Sequence, residues 1–201
     1  MEPTAASSRW SAHDARDGDL LRRIGAGERA AFETLYRCYF VRLARFLQRV
    51  LQRSPAIEEV INDTMYVVWH RAQRYSAKSK VSTWIFGIAY RKALKALARA
   101  DEPIDFDPAE HEADTEPSDQ AILQSEWRLV LERALAQLSP EQRAVVELTY
   151  YYGCPYREIA EILGCPVETV KTRMFYARRR LRDLLNSYRK ELPWADESST
   201  F

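Results

Sequence analysis

The sequence predicts an all-α protein built as two small helical domains joined by a flexible acidic linker. Apolar residues recur at helical spacing in both halves of the chain, and no strand alternation or hairpin signal competes with them. Between the halves lies a stretch with three prolines, many acids and few apolar residues, which is typical of a linker. The predicted boundaries are residues 14–100 for the first domain, 101–119 for the linker and 120–190 for the second domain.

Gly and Pro divide the first domain into its helices. Apolar spacing from Leu20 to Leu51 predicts helix, with a turn at residues 25–27 (GAG). Pro55 is placed to start the next helix, and a polar loop (SAKSK) follows at residues 76–80. A further helix then begins at VSTW. The helix after Pro55 is predicted to bury one stripe, formed by Val60, Ile61, Thr64, Val67 and Val68.

The second domain is predicted to hold four helices. They span residues 121–138, 140–152, 156–163 and 167–188. Ser139 can cap the second of these helices, and Pro140 suits its first turn. The last two have helix-turn-helix form, because Gly164 permits a turn and Pro166 starts a new helix. The predicted inward face consists of Ile159, Ala160, Leu163, Val170, Met174 (or Ala177) and Leu181.

The overall net charge of +1 conceals a strong charge pattern. Residues 14–99 carry 17 Lys and Arg against 8 Asp and Glu, and residues 127–190 carry 12 against 7. Residues 101–126, in contrast, contain 10 acids and neither Lys nor Arg. Two basic blocks separated by an acidic one indicate a polyanionic partner such as nucleic acid.

Several classes of function lack the residues that they need. Cys38, Cys154 and Cys165 are odd in number and widely spread, so they predict reduced thiols and no disulfide framework. The three histidines are remote from them in sequence, so a four-ligand zinc site is not expected. No nucleophile–base pair or phosphate-binding glycine loop is visible, and we therefore expect neither catalysis nor a cofactor. With no apolar span or secretory leader, the chain is predicted to be cytoplasmic and not inserted in a membrane.

The helix-turn-helix sequence points towards DNA. Lys171 and Thr172 lie in the first turns of its second helix, which a recognition helix presents to base edges in the major groove. The arginines that surround and follow them suit phosphate contacts. A helical hairpin with a solvated basic face is the alternative, since cations are favoured near a helix C-terminus in any case.

Both halves together resemble an extracytoplasmic-function (ECF) sigma factor, a compact two-domain class of bacterial sigma factor. The resemblance covers residues 17–99 and 120–185. It rests on DGDLLRRIGAGERAAFETLYRCYFVRLARFL, IEEVINDTMYVVWHRAQRY and STWIFGIAYRKALKAL in the first half, and on LSPEQRAVVELTYYYGCPYREIAEILGCPVETVKTRMFYARRRLR in the second. It implies that the first domain is sigma region 2, that the second is sigma region 4, and that the partners are core RNA polymerase and promoter DNA.

By this resemblance the EEVIND helix docks on the clamp helices of the polymerase's largest subunit. The residue spacing agrees, because Glu59 and Asp63 share one helix face on an otherwise basic domain. A solvated acidic face with partners inside the chain is the alternative. The predicted polymerase contacts are Glu58, Glu59, Asn62, Asp63 and Met65.

The resemblance also implies two DNA-reading surfaces. Bases of the −10 element are read as single strands, which requires pockets, stacking and cations; the predicted residues are Tyr75, Ser76, Ala77, Lys78, Lys80, Tyr90, Arg91 and Lys95. The −35 element is read as duplex by Thr169, Lys171, Thr172, Arg173, Phe175, Tyr176, Arg178 and Arg179. Trp84 and Phe86 are expected in the core, and the acidic linker is expected to thread the polymerase cleft or to act as a solvated spacer.

One departure from the family pattern suggests a mode of regulation. Ala56 stands where the family often has the first acid of the polymerase-binding helix, and Thr64 lies beside Asp63. Phosphorylation of Thr64 by a Ser/Thr kinase would add about −1.5 to −2 charge there, whereas a packed Thr64 would be inaccessible. Sequestration by an anti-sigma factor is the commoner control in the family. The rival to a sigma factor is a stand-alone helix-turn-helix regulator that binds duplex DNA without polymerase.

Overall fold

A computed structural model describes residues 14–52, 54–99 and 119–191, and in these residues every regular element is helical. The helices of the first unit are α1 (Asp14–Gly25), α2 (Arg29–Leu51), α3 (Ala56–Arg71) and α4 (Val81–Arg99), with a 3₁₀ turn at Ala72–Arg74. Those of the second unit are α5 (Asp119–Ala136), α6 (Pro140–Tyr150), α7 (Tyr156–Leu163) and α8 (Val167–Glu191). The predicted all-α fold is confirmed. The predicted acidic linker lies outside the described residues, apart from Asp119, which begins α5.

The first unit packs α1, α3 and α4 around the long helix α2. Gly27 adopts a φ of +87° and so makes the predicted turn between α1 and α2. Leu43, Phe46 and Leu47 of α2 are completely buried at its centre. The predicted stripe on α3 is buried except for Val67, which is only half-buried at the edge of the core.

The second unit has the predicted helix-turn-helix at its C-terminal end. Ser139 caps α6 in a capping box with Gln142, which satisfies backbone N–H groups at the start of that helix. Gly164 ends α7 with a φ of +64°, in the left-handed region that favours glycine. The predicted inward faces of α7 and α8 are buried, except that Leu181 is half-buried. No described helix is both long enough and apolar enough to span a bilayer.

The two units do not stand apart but pack together, α6 against α2 and α7 against α4. Tyr152 lies at the centre of this junction. Its ring packs edge-on against Phe86 at 5.2 Å and Phe46 at 6.4 Å, and its hydroxyl donates to the carbonyl of Arg42 at 2.8 Å. Residues of both units therefore belong to one continuous apolar core.

Arg143 of α6 links the two units at one end of the junction by hydrogen bonds. Its buried guanidinium donates to the carbonyls of Val50 (2.9 Å), Leu138 (2.7 Å) and Ala136 (3.0 Å). Val50 lies in the last turn of α2 and Ala136 ends α5, so a single cation satisfies carbonyl groups at the ends of helices from both units. Burial lowers the pKa of Arg143 to about 10.

Candidate nucleic-acid and protein-binding surfaces

The predicted polymerase-binding helix presents an acidic face to solvent. Glu58 and Glu59 lie in the first turn of α3, where the helix dipole favours negative charge. They are exposed, as are Asn62 and Asp63 one turn further on. Asp63 pairs with Lys92 of α4 at 2.7 Å. Because this pair is largely exposed, it contributes little to stability, and the face remains available to a partner.

Met65 was predicted to contact the polymerase from this helix, but its side chain does not share the exposed acidic face. The side chain is almost completely buried in the core of the first unit. The physical reason is its helical phase, since Met65 lies four residues after Ile61 and three before Val68, both of which are buried. It reaches the surface only as the floor of a groove.

That groove, beside the acidic face, was not predicted. It has a volume of about 770 Å³ and lies between α2 and α3. The hydroxyl of Tyr36 donates to Asn62 at 2.8 Å, and Tyr66 stands exposed with its ring 4.3 Å from that of His70. The helical spacing of aromatic residues on both helices was the signal that could have found it. The aromatic residues that line it are Phe32, Tyr36, Tyr66, Trp69 and His70.

The loop predicted to read the −10 element is preformed. The hydroxyl of Tyr75 donates to the carbonyl of Ser79, which closes the loop, and its ring packs 5.3 Å from that of Trp84. Ala77 adopts a φ of +53° at the tip of the loop. Asp14 accepts a hydrogen bond of 2.9 Å from the backbone N–H of Val81 and so caps α4 directly after the loop. Ser76, Ala77 and Lys78 are left exposed.

Along α4 the predicted −10 residues separate into two sets. Arg91 and Lys95 are exposed, but Tyr90 is only 2% exposed, so the prediction that it contacts DNA does not fit this conformation. Tyr90 lies on the same helix face as Phe86 and Ala93, which faces the core. Burial raises its pKa to about 12, and charges of the second unit, including Arg173, act on it.

Lys80 at the start of α4 is held by the second unit. Its Nζ lies 3.2 Å from a carboxylate oxygen of Glu158, in the first turn of α7. The hydroxyl of Thr83 donates to the other carboxylate oxygen at 2.6 Å. Glu158 is only 7% exposed, whereas the Lys80 side chain is 35% exposed, so this charge-assisted contact is buried on the side of Glu158 and Thr83 and partly open at Lys80. Sequence reasoning missed both Glu158 and Thr83, because the residues are 75 positions apart.

The predicted −35 surface on α8, by contrast, is open. Val170, Met174 and Ala177 are buried as predicted. Six of the predicted DNA contacts point to solvent, namely Lys171, Thr172, Phe175, Tyr176, Arg178 and Arg179. The Nε of Arg178 donates to the hydroxyl of Tyr150 at 2.9 Å, and its guanidinium lies 5.7 Å from the centre of that ring. Tyr150 therefore orients a predicted phosphate contact.

Two predicted −35 residues are less accessible. Thr169 and Arg173 are half-buried. A guanidinium nitrogen of Arg173 lies 3.6 Å from the sulfur of Cys165, in the turn between α7 and α8. Arg173 is therefore turned away from the open face of α8.

Thr64 is completely buried, and its hydroxyl donates to the carbonyl of Val60 at 2.7 Å. A kinase cannot reach a hydroxyl in this position without opening the core of the first unit. The structure thus corrects the phosphorylation hypothesis and favours the alternative, that Thr64 is a packed helix residue.

The three cysteines are free thiols. Within residues 14–52, 54–99 and 119–191, no group of three or more His, Cys, Asp or Glu side chains is arranged to hold a metal ion. Cys154 is buried at the junction, and burial raises the pKa of its thiol well above the usual value.

Comparisons with known proteins match both units. The family model for Sigma-70 region 2 matches residues 35–102, and that for Sigma-70, region 4 matches residues 128–181. ECF RNA polymerase sigma factor SigK of Mycobacterium ulcerans is 33% identical over 174 residues, covering 84% of this chain and 92% of its own. ECF RNA polymerase sigma-E factor of Haemophilus influenzae is 26% identical over 178 residues, covering 83% of this chain and 94% of its own.

Solved structures share the fold. A chain in the structure of CnrH with the cytosolic domain of CnrY matches with a TM-score of 0.62 and 24% identity, over 85% of this chain and 97% of its own. A chain in the complex of sigma factor RpoE with anti-sigma factor NepR from Bartonella quintana matches with a TM-score of 0.61 and 23% identity, over 77% and 96%. The two family models and the 33% identical relative show that the chain belongs to the ECF family of sigma factors, which are non-enzymatic, DNA-binding factors of transcription initiation.

Proposed function

We propose that this chain binds core RNA polymerase and makes it promoter-specific by reading a −10 element with its first unit and a −35 element with its second. One observation carries the proposal: a single chain presents both an acidic, aromatic-edged surface on α3 and an open recognition helix, α8. A stand-alone helix-turn-helix regulator needs the second surface but has no use for the first.

The surface on α3 has the chemistry of a protein interface. Its aromatic groove can take apolar anchors from a partner, and aromatic side chains in pockets supply much of the binding energy at such interfaces. Glu59 and Asp63 at its edge favour a basic partner and speed its encounter. We assign this surface to the clamp helices of the polymerase.

The two DNA surfaces differ in the form of DNA that they suit. Lys171 and Thr172, in the first turns of α8, can reach base edges, while Arg178 and Arg179 are placed for phosphates. The preformed loop with Lys78 at its tip, followed by Arg91 and Lys95 on α4, offers cations to the backbone of a single strand. A duplex would be read by α8 and a melted strand by the loop and α4.

Control by an anti-sigma factor is part of the proposal. One protein with this fold, RpoE, has been solved with the anti-sigma factor NepR, and another, CnrH, with the cytosolic domain of CnrY. An inhibitor that occupied the groove beside α3 would compete directly with polymerase. The factor would act in the cytoplasm, where polymerase is found.

Transcription by purified core polymerase on a library of fragments of the host genome tests the proposal. We expect discrete transcripts whose start sites share a −10 and a −35 sequence, and only when this chain is added. Tight binding of the free chain to particular duplex fragments, together with no promoter-specific transcript, would instead support the stand-alone regulator.

A further inference from the structure

The second unit covers one strip of α4. Lys80, Thr83, Gly87 and Tyr90 are spaced by three or four residues, so they lie along a single helix face. The side chains of Lys80 and Thr83 both bind the carboxylate of Glu158 in α7. This strip includes two of the residues predicted to bind the −10 strand.

The covering helix lies in van der Waals contact with α4 at Gly87. A Cβ added at Gly87 would lie 3.4 Å from the carbonyl oxygen of Ile162 in α7. Tyr90 is buried beyond this point. The strip is therefore buried from Thr83 to Tyr90, while the Lys80 side chain at its end remains 35% exposed.

The contact between the units covers only part of the DNA-binding surfaces predicted from the sequence. Six predicted DNA contacts on α8 are exposed, and so are Arg91 and Lys95 on the neighbouring face of α4. Closure thus hides part of the surface for single-stranded DNA but leaves the surface for duplex DNA free.

We propose that Glu158 is a latch that keeps the free chain shut, so that its carboxylate occupies Lys80 in place of a DNA phosphate. Opening requires α7 to leave α4, and it returns Glu158, Lys80 and Thr83 to solvent. The carboxylate is well bonded when closed and well hydrated when open, which suits a latch that a partner can release. Only the identity of the hidden surface as the −10 reader rests on the proposed function; the closure itself does not.

Cys154 is a built-in reporter of this closure. It is buried just before α7, where that helix meets the first unit, and the charges of Glu158 in the second unit and of Lys80 and Arg42 in the first act on its thiol. In a chain carrying Cys38→Ser and Cys165→Ser, Cys154 is the single thiol, and its rate of labelling by a maleimide measures how often the junction opens.

The test compares two charge reversals on α7 in this single-thiol chain. Glu158→Lys places a cation against Lys80, whereas Glu161→Lys makes the same charge change at an exposed position of the same helix. We expect Glu158→Lys to speed labelling of Cys154 by about tenfold or more, the value of one charge-assisted hydrogen bond, and Glu161→Lys to leave it unchanged. Equal rates in the two variants would overturn the latch.

A second variant guards against simple unfolding of the second unit and against the direct effect of the charge at position 158 on the Cys154 thiol. Thr83→Val removes the hydroxyl that donates to Glu158 but lies in the first unit, so it leaves the packing within the helix-turn-helix intact. Labelling should rise several-fold with the helical circular dichroism unchanged. No rise in Thr83→Val would count against the latch even if Glu158→Lys labelled quickly.

Binding of a fluorescein-labelled pool of random single-stranded 20-mers separates the latch from the proposed function. Glu158→Lys should bind the pool at least several-fold more tightly than Glu161→Lys, because only the former uncovers the strip. Faster labelling with equal DNA binding would support the latch but overturn the assignment of the covered strip to the −10 strand.

Discussion

The surfaces on α4 and α8 differ in access. The recognition helix α8 presents Lys171, Phe175 and Arg179 to solvent, while the strip of α4 from Lys80 to Tyr90 lies beneath α7. A duplex can be read by a rigid, open helix, since its base edges are already displayed in the major groove. A melted strand exists only after polymerase has acted, so a reader of that strand can stay covered until then. Under the proposed function, the difference in access follows the difference in target.

The largest expected effect concerns the junction that keeps the strip covered. Arg143→Met should lower the free energy of unfolding by about 3 kcal/mol, because the buried carbonyls of Val50 and Leu138 lose this donor, whereas that of Ala136 keeps Gln52. Urea unfolding monitored by circular dichroism measures it. Arg157→Met, at an exposed position of α7, is the control and should change stability by less than about 0.5 kcal/mol. Similar losses in the two variants would mean that Arg143 does not pin the units.

The next prediction concerns the partner that is expected to uncover the strip. Glu59→Lys with Asp63→Lys should weaken binding to core polymerase by about 100-fold, or about 2.7 kcal/mol, because both carboxylates would be replaced by like charges facing a basic partner. Competition for polymerase against the wild-type chain measures it. The neutral pair Glu59→Gln with Asp63→Asn should lose less. Undiminished binding by the charge-reversed chain, with its fold intact, would place the polymerase contact elsewhere.

The open surface can be probed within α8 itself. Lys171→Ala should weaken binding of the polymerase complex to its promoter by about 1–3 kcal/mol and relax the preference at one −35 base pair. Arg179→Ala should weaken binding almost equally for all −35 sequences and reduce its salt dependence, as expected for a phosphate contact. Binding to a set of single-base promoter variants at two salt concentrations distinguishes the roles. A uniform loss in Lys171→Ala would reassign Lys171 to the backbone.

The smallest effect is expected from two adjacent tyrosines at the junction. The hydroxyl of Tyr152 is bonded to the first unit from a buried position, whereas that of Tyr151 accepts from Arg45 in an exposed one. Tyr152→Phe should cost about 1 kcal/mol of stability and speed labelling of Cys154 about fivefold. Tyr151→Phe should do neither. Equal effects in the two variants would show that burial of the junction is unimportant.

Local features of the fold were predictable because each depends on residues close in sequence. The capping of α6 by Ser139 and the turn at Gly164 follow from short-range chemistry, and the buried face of α8 follows from helical spacing. The burial of Met65 and Tyr90 was not anticipated, because contact residues were assigned by position in the family pattern. Helical spacing from buried neighbours, such as Phe86 for Tyr90 and Ile61 for Met65, instead indicates that each side chain faces the core.

The junction was not predictable in the same way. Glu158 and Lys80 are 78 positions apart, and nothing in either local sequence specifies the other as its partner. Arg143 looked like any helical arginine, although its three acceptors lie at helix ends that only the folded chain brings together. Long-range packing decides which surface is covered, and helical spacing alone does not predict that packing.

One measurement tests the central claim, that the strip on α4 is covered in the free chain and uncovered on polymerase. Dyes are placed on cysteines introduced at two exposed positions, Arg74 in the first unit and Glu161 in the second. Energy transfer between them should be high in the free chain and fall when core polymerase is added, and it should stay high in the variant with Glu59→Lys and Asp63→Lys. Equal transfer in the free and polymerase-bound wild-type chain would contradict the account.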